Sequence, residues 1–173
     1  RDAQESRGLG DVYKRQPMQS AFIGWKQEPD EYLARILGHD RLEKLNPIKT
    51  FRDNNIVVSF GSDAPCTTPD PIVWMDRAVN NDNAGQAVSV QDALRMCTYN
   101  GAWAAFDEQE RGSLEAGKIA DMAVLSENPY TVPKDKLSGL RVERLYLSGK
   151  SYESCRESIL PMMLRGLTSR NKA

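Results

Sequence analysis

The chain has 173 residues, within the usual size of one domain of about 100–200 residues. Hydrophobic residues make up 40%, and 23 Lys plus Arg nearly balance 24 Asp plus Glu, so no strong field favours binding to nucleic acid or an anionic membrane. No apolar run approaches the roughly 20 residues that span a bilayer. The three cysteines, Cys66, Cys97 and Cys155, fit neither a disulfide framework nor a C-x-x-C metal site, which favours reduced thiols and a cytoplasmic protein.

The first elements are weakly marked. Residues 1–16 are polar and aperiodic, so we assign them no structure. Residues 8–16 resemble translated sequencing-adaptor read-through, so the terminus is either artefactual or an ordinary disordered end. Residues 17–25 suit the end of a strand running into a loop. Acidic residues at 30 and 31 then predict a helix start, and Gly38 predicts its end.

The middle of the chain contains the clearest strand. A short helix is predicted over 47–52, with Asn54 and Asn55 as a left-handed stop. The run Ile56–Phe60 is almost entirely β-branched or aromatic, as in strands that are buried on both faces of a parallel sheet. It leads into Gly61–Pro65, and Pro69 and Pro71 are then predicted to start a further helix.

The pattern changes after the next helix. Ser89 and Asp92 form a predicted capping box, and small or apolar residues at helical spacing predict one helix over 90–105. Beyond Gly112 the chain is rich in turns and short strands, and the predicted strands lie at 122–125, 142–147 and 150–152.

These elements divide the chain into four parts. Residues 1–16 are the unstructured or artefactual terminus, and 17–112 alternate helices with a buried strand. Residues 113–152 form short strands, and 153–173 form a tail with a candidate helix that Pro161 interrupts. The predicted fold class is therefore α/β.

Asp63 is the best candidate for chemistry, because it directly follows the buried strand in a loop that leads to a helix. A carboxylate at such a strand end can bind a cation or accept a proton from water. A lone Asp is more often a turn residue or helix cap, and the local pattern alone favours that interpretation. We predict that Asp121 lies in a turn, that His39 is exposed to solvent and that Cys97 packs in the core.

Several motifs together resemble the amidohydrolase superfamily, and its family 3 branch in particular. They are Val57–Pro65 with Gly-Ser-Asp-Ala-Pro, Pro69–Pro71, Ala93–Asn100, Gly112–Leu125 with Gly-Ser-Leu-x-x-Gly-Lys-x-Ala-Asp, and Leu147–Lys150. The resemblance implies the last units of a (β/α)8 barrel, followed by strands of a composite β-sandwich. It implies hydrolysis of C–N bonds in amide- or formamide-type small molecules, with a divalent metal, most often zinc. Asp63 matches the last-strand Asp that helps to bind the metal and moves a proton.

The sequence departs from this family by lacking its histidine ligands. A catalytic zinc usually has three protein ligands and water, and Asp63 supplies one. We therefore expect an inactive C-terminal fragment of such an enzyme, and the resemblance leaves a homo-oligomeric parent open. The alternatives are a non-catalytic module that binds a partner through the exposed barrel edge, and a cyclic-amide hydrolase or deaminase relative.

Overall fold

The first sheet of the fold is a parallel pair. The computed structural model describes residues 15–23 and 32–152, in which β1 (Arg15–Met18) pairs with β2 (Val57–Phe60). Parallel strands require a crossover connection, usually helical. In the described residues this connection includes a 3-10 turn and three short helices: Ser20–Phe22, α1 (Tyr32–Leu37), α2 (His39–Leu42) and α3 (Ile48–Asp53). The predicted α/β class is thus confirmed.

The first two residues of β1 fall within 1–16, the range to which we assigned no structure from the sequence. Arg15 pairs with Val57 and Gln16 with Val58. Main-chain pairing does not depend on side-chain polarity, so a polar stretch beside a buried strand still forms a ladder. The predictions for residues 1–14, for the loop and helix start at 24–31 and for the tail at 153–173 lie outside the described residues.

Within residues 32–152, the α-helices that follow β2 are α4 (Pro71–Val79), α5 (Val90–Cys97) and α6 (Tyr99–Ala104). The predicted capping box at the start of α5 is confirmed, since the Ser89 hydroxyl accepts from the Asp92 amide at 3.0 Å. The prediction of a single helix over 90–105 is wrong in one respect. The helix breaks at Thr98, whose φ of −122° and ψ of −92° are not helical.

The second sheet is antiparallel, with strand order β3 (Met122–Leu125), β4 (Val142–Leu147) and β5 (Lys150–Tyr152). Ser148 and Gly149 turn β4 into β5 as predicted, both with positive φ. Such left-handed pairs suit the twist of a two-residue hairpin. None of the helices in residues 15–23 and 32–152 is long and apolar enough to cross a membrane.

The hydrophobic core extends across the predicted boundary near residue 112. Val58 of β2 and Met75 of α4 are each 1% exposed, and they share one buried cluster with Leu137. Leu137 lies in a 3-10 helix, Lys134–Gly139, which comes between β3 and β4 in the chain and packs on α4. The segment after Gly112 therefore buries its own apolar residues against the helices before it.

Candidate active site

Asp63 lies just beyond the carboxyl end of β2. The amide of Gly61 donates to the Met18 carbonyl at 3.0 Å, so the pairing with β1 continues one residue past the end of β2. Asp63 then adopts a left-handed backbone with φ of 53°, a conformation that Asp tolerates better than most residues. Its carbonyl accepts from the Cys66 amide at 2.8 Å, which closes a turn. The predicted strand-end position of this carboxylate is thus present.

The loop around Asp63 is held by its own hydrogen bonds. The Ser62 hydroxyl accepts from the Ala64 amide at 3.1 Å, and the Thr67 hydroxyl donates to the Ser62 carbonyl. The Ala64–Pro65 peptide bond is cis. The Asp63 side chain is exposed and makes no hydrogen bond to any residue in the described part of the chain. Its position therefore depends on the backbone that β2 and this loop provide.

An open groove of about 610 Å³ lies at the carboxyl ends of the two parallel strands, lined by the loop residues that follow Asp63. Its walls come from the loop after β1, the loop after β2 and helix α4, through Ala21, residues 64–69, Val73 and Arg77. Ligands of parallel α/β sheets bind at this end of the strands. The groove has room for a small molecule, and its lining begins at Ala64, the residue after Asp63.

Ser20 connects the first of these loops to the helix. Its side chain is 1% exposed, and its hydroxyl donates to the Trp74 carbonyl at 3.0 Å. The Trp74 indole nitrogen donates to the Thr68 carbonyl at 3.1 Å, so the same helical turn also holds the loop after β2. Both loops that border the groove are therefore attached to α4.

The described residues do not by themselves fit a zinc ion. Across residues 15–23 and 32–152, His, Cys, Asp and Glu side chains nowhere form a group of three that could hold a metal. A catalytic zinc needs about three protein ligands and an open position. Asp63 offers one carboxylate.

The other residues considered from the sequence, Asp121, His39 and Cys97, occupy positions that contribute to the fold or lie on the surface. Asp121 accepts hydrogen bonds from the Ser148 amide at 2.9 Å and from the Arg111 guanidinium at 3.1 Å, so it holds the turn between β4 and β5. His39 is exposed at the start of α2. Cys97 packs against the core, and burial raises the pKa of its thiol to about 12.

Sequence reasoning missed Asn100. This α6 residue is 8% exposed, and its amide nitrogen donates to the Val58 carbonyl of β2 at 2.7 Å. The one indication in the sequence is an amide side chain on a helix that is otherwise lined with small and apolar residues. Buried polar side chains are normally hydrogen-bonded, so such a residue implies a partner, although its identity cannot be read locally.

Comparison with known proteins identifies the family. A model of the amidohydrolase family matches residues 10–152. The N-substituted formamide deformylase of Arthrobacter pascens is 36% identical over 135 residues, which are 74% of this chain and 23% of that protein. The 5-methylthioadenosine/S-adenosylhomocysteine deaminase of Caldanaerobacter subterraneus is 28% identical over 128 residues, 64% of this chain and 29% of that protein.

Solved structures agree with the sequence comparison. A metal-dependent hydrolase from Pyrococcus horikoshii matches with a TM-score of 0.60 and 25% identity, covering 78% of this chain and 28% of that one. The 173 residues thus span about a quarter of the length of these relatives. The family match covers most of the chain and includes Asp63, its loop and the second sheet. The chain belongs to the amidohydrolase family, in the family 3 branch that its motifs indicated.

Proposed function

We propose that these residues are the C-terminal part of a metal-dependent amidohydrolase that cleaves non-peptide C–N bonds in amide- or formamide-type small molecules. The observation that carries this proposal is Asp63 just after the carboxyl end of a parallel strand, in a loop whose following residues line an open groove. The similarity to a formamide deformylase over 74% of the chain supports the reaction class. In this proposal β1 and β2 are the last strands of a (β/α)8 barrel, and β3–β5 belong to a β-sandwich.

Asp63 has the chemistry of a proton carrier in this reaction. Its carboxylate accepts a proton from the water that attacks the carbonyl carbon, and it then gives the proton to the leaving nitrogen. General acid–base catalysis of this kind contributes about 10²- to 10⁴-fold to the rate.

The metal of this proposal requires residues beyond those described. Zinc is the metal proposed, and it would polarise the carbonyl and activate water when bound. Asp63 provides one ligand, and the others belong to the parts of the family fold that these 173 residues do not contain. We therefore expect the purified 173-residue chain to be inactive and to carry far less than one equivalent of zinc. Elemental analysis that found about one equivalent per chain would contradict this division of the site.

The test of the reaction uses the full-length protein that contains this chain. We expect release of formate from an N-substituted formamide, with loss of that activity in Asp63→Asn. The matched control is Asp82→Asn, which removes an exposed carboxylate on the loop after α4. Loss of activity in both variants, or in neither, would count against the role of Asp63.

A deaminase is the second candidate, favoured by the deaminase relative at 28% identity. The same protein is then assayed for ammonia release from 5-methylthioadenosine. Ammonia release without formate release would replace the first candidate by the second. If neither product forms and the 173-residue chain is monodisperse and melts cooperatively without metal, a non-catalytic binding module is the better description.

The free thiols Cys66 and Cys97 support the proposed cytoplasmic location, which cell fractionation tests.

A further inference from the structure

Residues 61–70 form the loop that carries Asp63, and a bond inside this loop sets its shape but not its place in the fold. The Cys66 amide donates to the Asp63 carbonyl at 2.8 Å, so both partners move together if the loop moves. The Gly61 amide attaches the first end of the loop to β1. The position of Asp63 therefore also depends on what holds the far end.

Trp74 of α4 holds that far end. Its indole nitrogen donates to the Thr68 carbonyl at 3.1 Å. The same carbonyl accepts the Asp70 amide at 2.8 Å, and its two lone pairs allow both bonds. The Asp70 carboxylate in turn caps α4 by accepting the Ile72 amide at 2.9 Å. The end of the loop and the first turn of α4 are therefore joined by hydrogen bonds.

Helix α4 is a firm support, because one of its faces is buried and its backbone is held from a second side. Its buried residues belong to the same core cluster as Leu137: they are Ile72, Met75, Ala78 and Val79. The hydroxyl of Ser20, which is 1% exposed, donates to the Trp74 carbonyl at 3.0 Å. All of these contacts join residues of this chain and use no unpaired strand edge, so they are compatible with a closed barrel.

We propose that Trp74 is a positioning residue for Asp63. The proposal rests on the proposed function of Asp63, whose side chain is exposed and makes no hydrogen bond to residues 15–23 and 32–152 that would orient it. The carboxylate therefore lies where the loop backbone places it. Without the indole donor, the Thr68 carbonyl would keep only the Asp70 amide, a bond that stays inside the loop and does not attach it to the body of α4.

The test compares two Trp→Phe substitutions in the full-length protein. Trp74→Phe keeps an aromatic ring and removes the donor. The control, Trp103→Phe, removes an indole from α6 at a position that is part-buried like that of Trp74. We expect Trp74→Phe to lower kcat about 10-fold with KM changed less than about twofold, because small displacements of a reacting group have effects of this order and act on the transition state. Trp103→Phe should keep the wild-type kcat.

Hydrogen exchange gives a readout that does not depend on turnover. Peptides covering residues 61–70 should exchange faster in Trp74→Phe and at the wild-type rate in Trp103→Phe. If Trp74→Phe does not fold, Trp74→Leu replaces it, since leucine keeps an apolar side chain without a donor. Wild-type kcat and wild-type loop exchange in the Trp74 variant, or equal losses of kcat in the Trp74 and Trp103 variants, would overturn the proposal.

The two measurements also separate this proposal from the proposed function. A wild-type protein that hydrolyses no amide, formamide or aminopurine substrate would contradict the proposed function. Faster exchange at 61–70 in Trp74→Phe alone would still support the attachment of the Asp63 loop by Trp74.

Discussion

The amide of Gly61 donates to the carbonyl of Met18 at 3.0 Å, one residue beyond the end of the regular β1–β2 ladder. This bond brings the loops that follow β1 and β2 together at one edge of the sheet. Asp63 lies two residues after Gly61, and Ser20 lies two residues after Met18. The position of the candidate carboxylate is thus set by backbone pairing before any side-chain contact is considered.

Gly112 is expected to tolerate no side chain. It has φ of +91°, and an added Cβ would meet Ala102 at 2.6 Å. We expect Gly112→Ala to lower the free energy of unfolding by about 2–4 kcal/mol, from left-handed strain and overpacking together. Gly117 is the matched control, because its φ is +93° and a Cβ added there would have nothing within 4 Å. Gly117→Ala should cost only about 1–2 kcal/mol. Urea unfolding compares the two, and equal losses would show that the contact with α6 is unimportant.

Cys97 and Cys66 should differ sharply towards alkylating reagents. Burial raises the pKa of the Cys97 thiol to about 12, so it stays protonated and shielded at neutral pH. Cys66 is exposed on the loop beside the groove. Peptide mass spectrometry after brief iodoacetamide treatment should show modified Cys66 and unmodified Cys97, with Cys97 reacting once urea is added. Rapid labelling of Cys97 in the folded protein would contradict its place in the core.

Asp92 should make stability depend on pH in the acid range. Burial tends to raise the pKa of Asp92, but hydrogen bonds from Ser89 and Arg52 outweigh it and hold the pKa below its usual value. A carboxyl with a lowered folded-state pKa stabilises the fold above its unfolded pKa, and this contribution is lost as pH falls through the folded value.

The matching experiment is Asp92→Asn. We expect it to lower the free energy of unfolding by about 1 kcal/mol at pH 7, from the weakened cap and ion pair. The difference from wild type should shrink as pH falls below about 4, the usual pKa of an Asp side chain. Asp82→Asn, on an exposed loop, should show no such dependence. A pH-independent difference for Asp92→Asn would mean that its charge contributes nothing.

Local features were predictable because neighbouring residues determine them. The capping box at Ser89, the left-handed Asn55 and the turn at Ser148 each depend on a few adjacent residues. The break at Thr98 was not predictable, since the apolar spacing runs through it without interruption. After the break, α6 places Asn100 against β2 and Ala102 against Gly112, contacts that no local pattern predicts.

The candidate site was predictable only in part, for a related reason. Asp63 could be chosen because it follows a buried strand in a recognisable motif. Asn100 could not, because its partner Val58 lies 42 residues away and only the fold brings them together. The extent of the core was also missed. Leu137 belongs to a segment that looked separate in composition but is fully buried with Val58.

The most direct test of the central claim is the rate of formamide hydrolysis by full-length Asp63→Asn protein, measured beside Asp82→Asn. The account predicts that Asp63→Asn lowers kcat by at least about 100-fold while its melting temperature stays near that of the wild type. Asp82→Asn should retain the wild-type rate. A folded Asp63→Asn enzyme that hydrolyses its substrate at the wild-type rate would contradict the claim that this carboxylate does the chemistry.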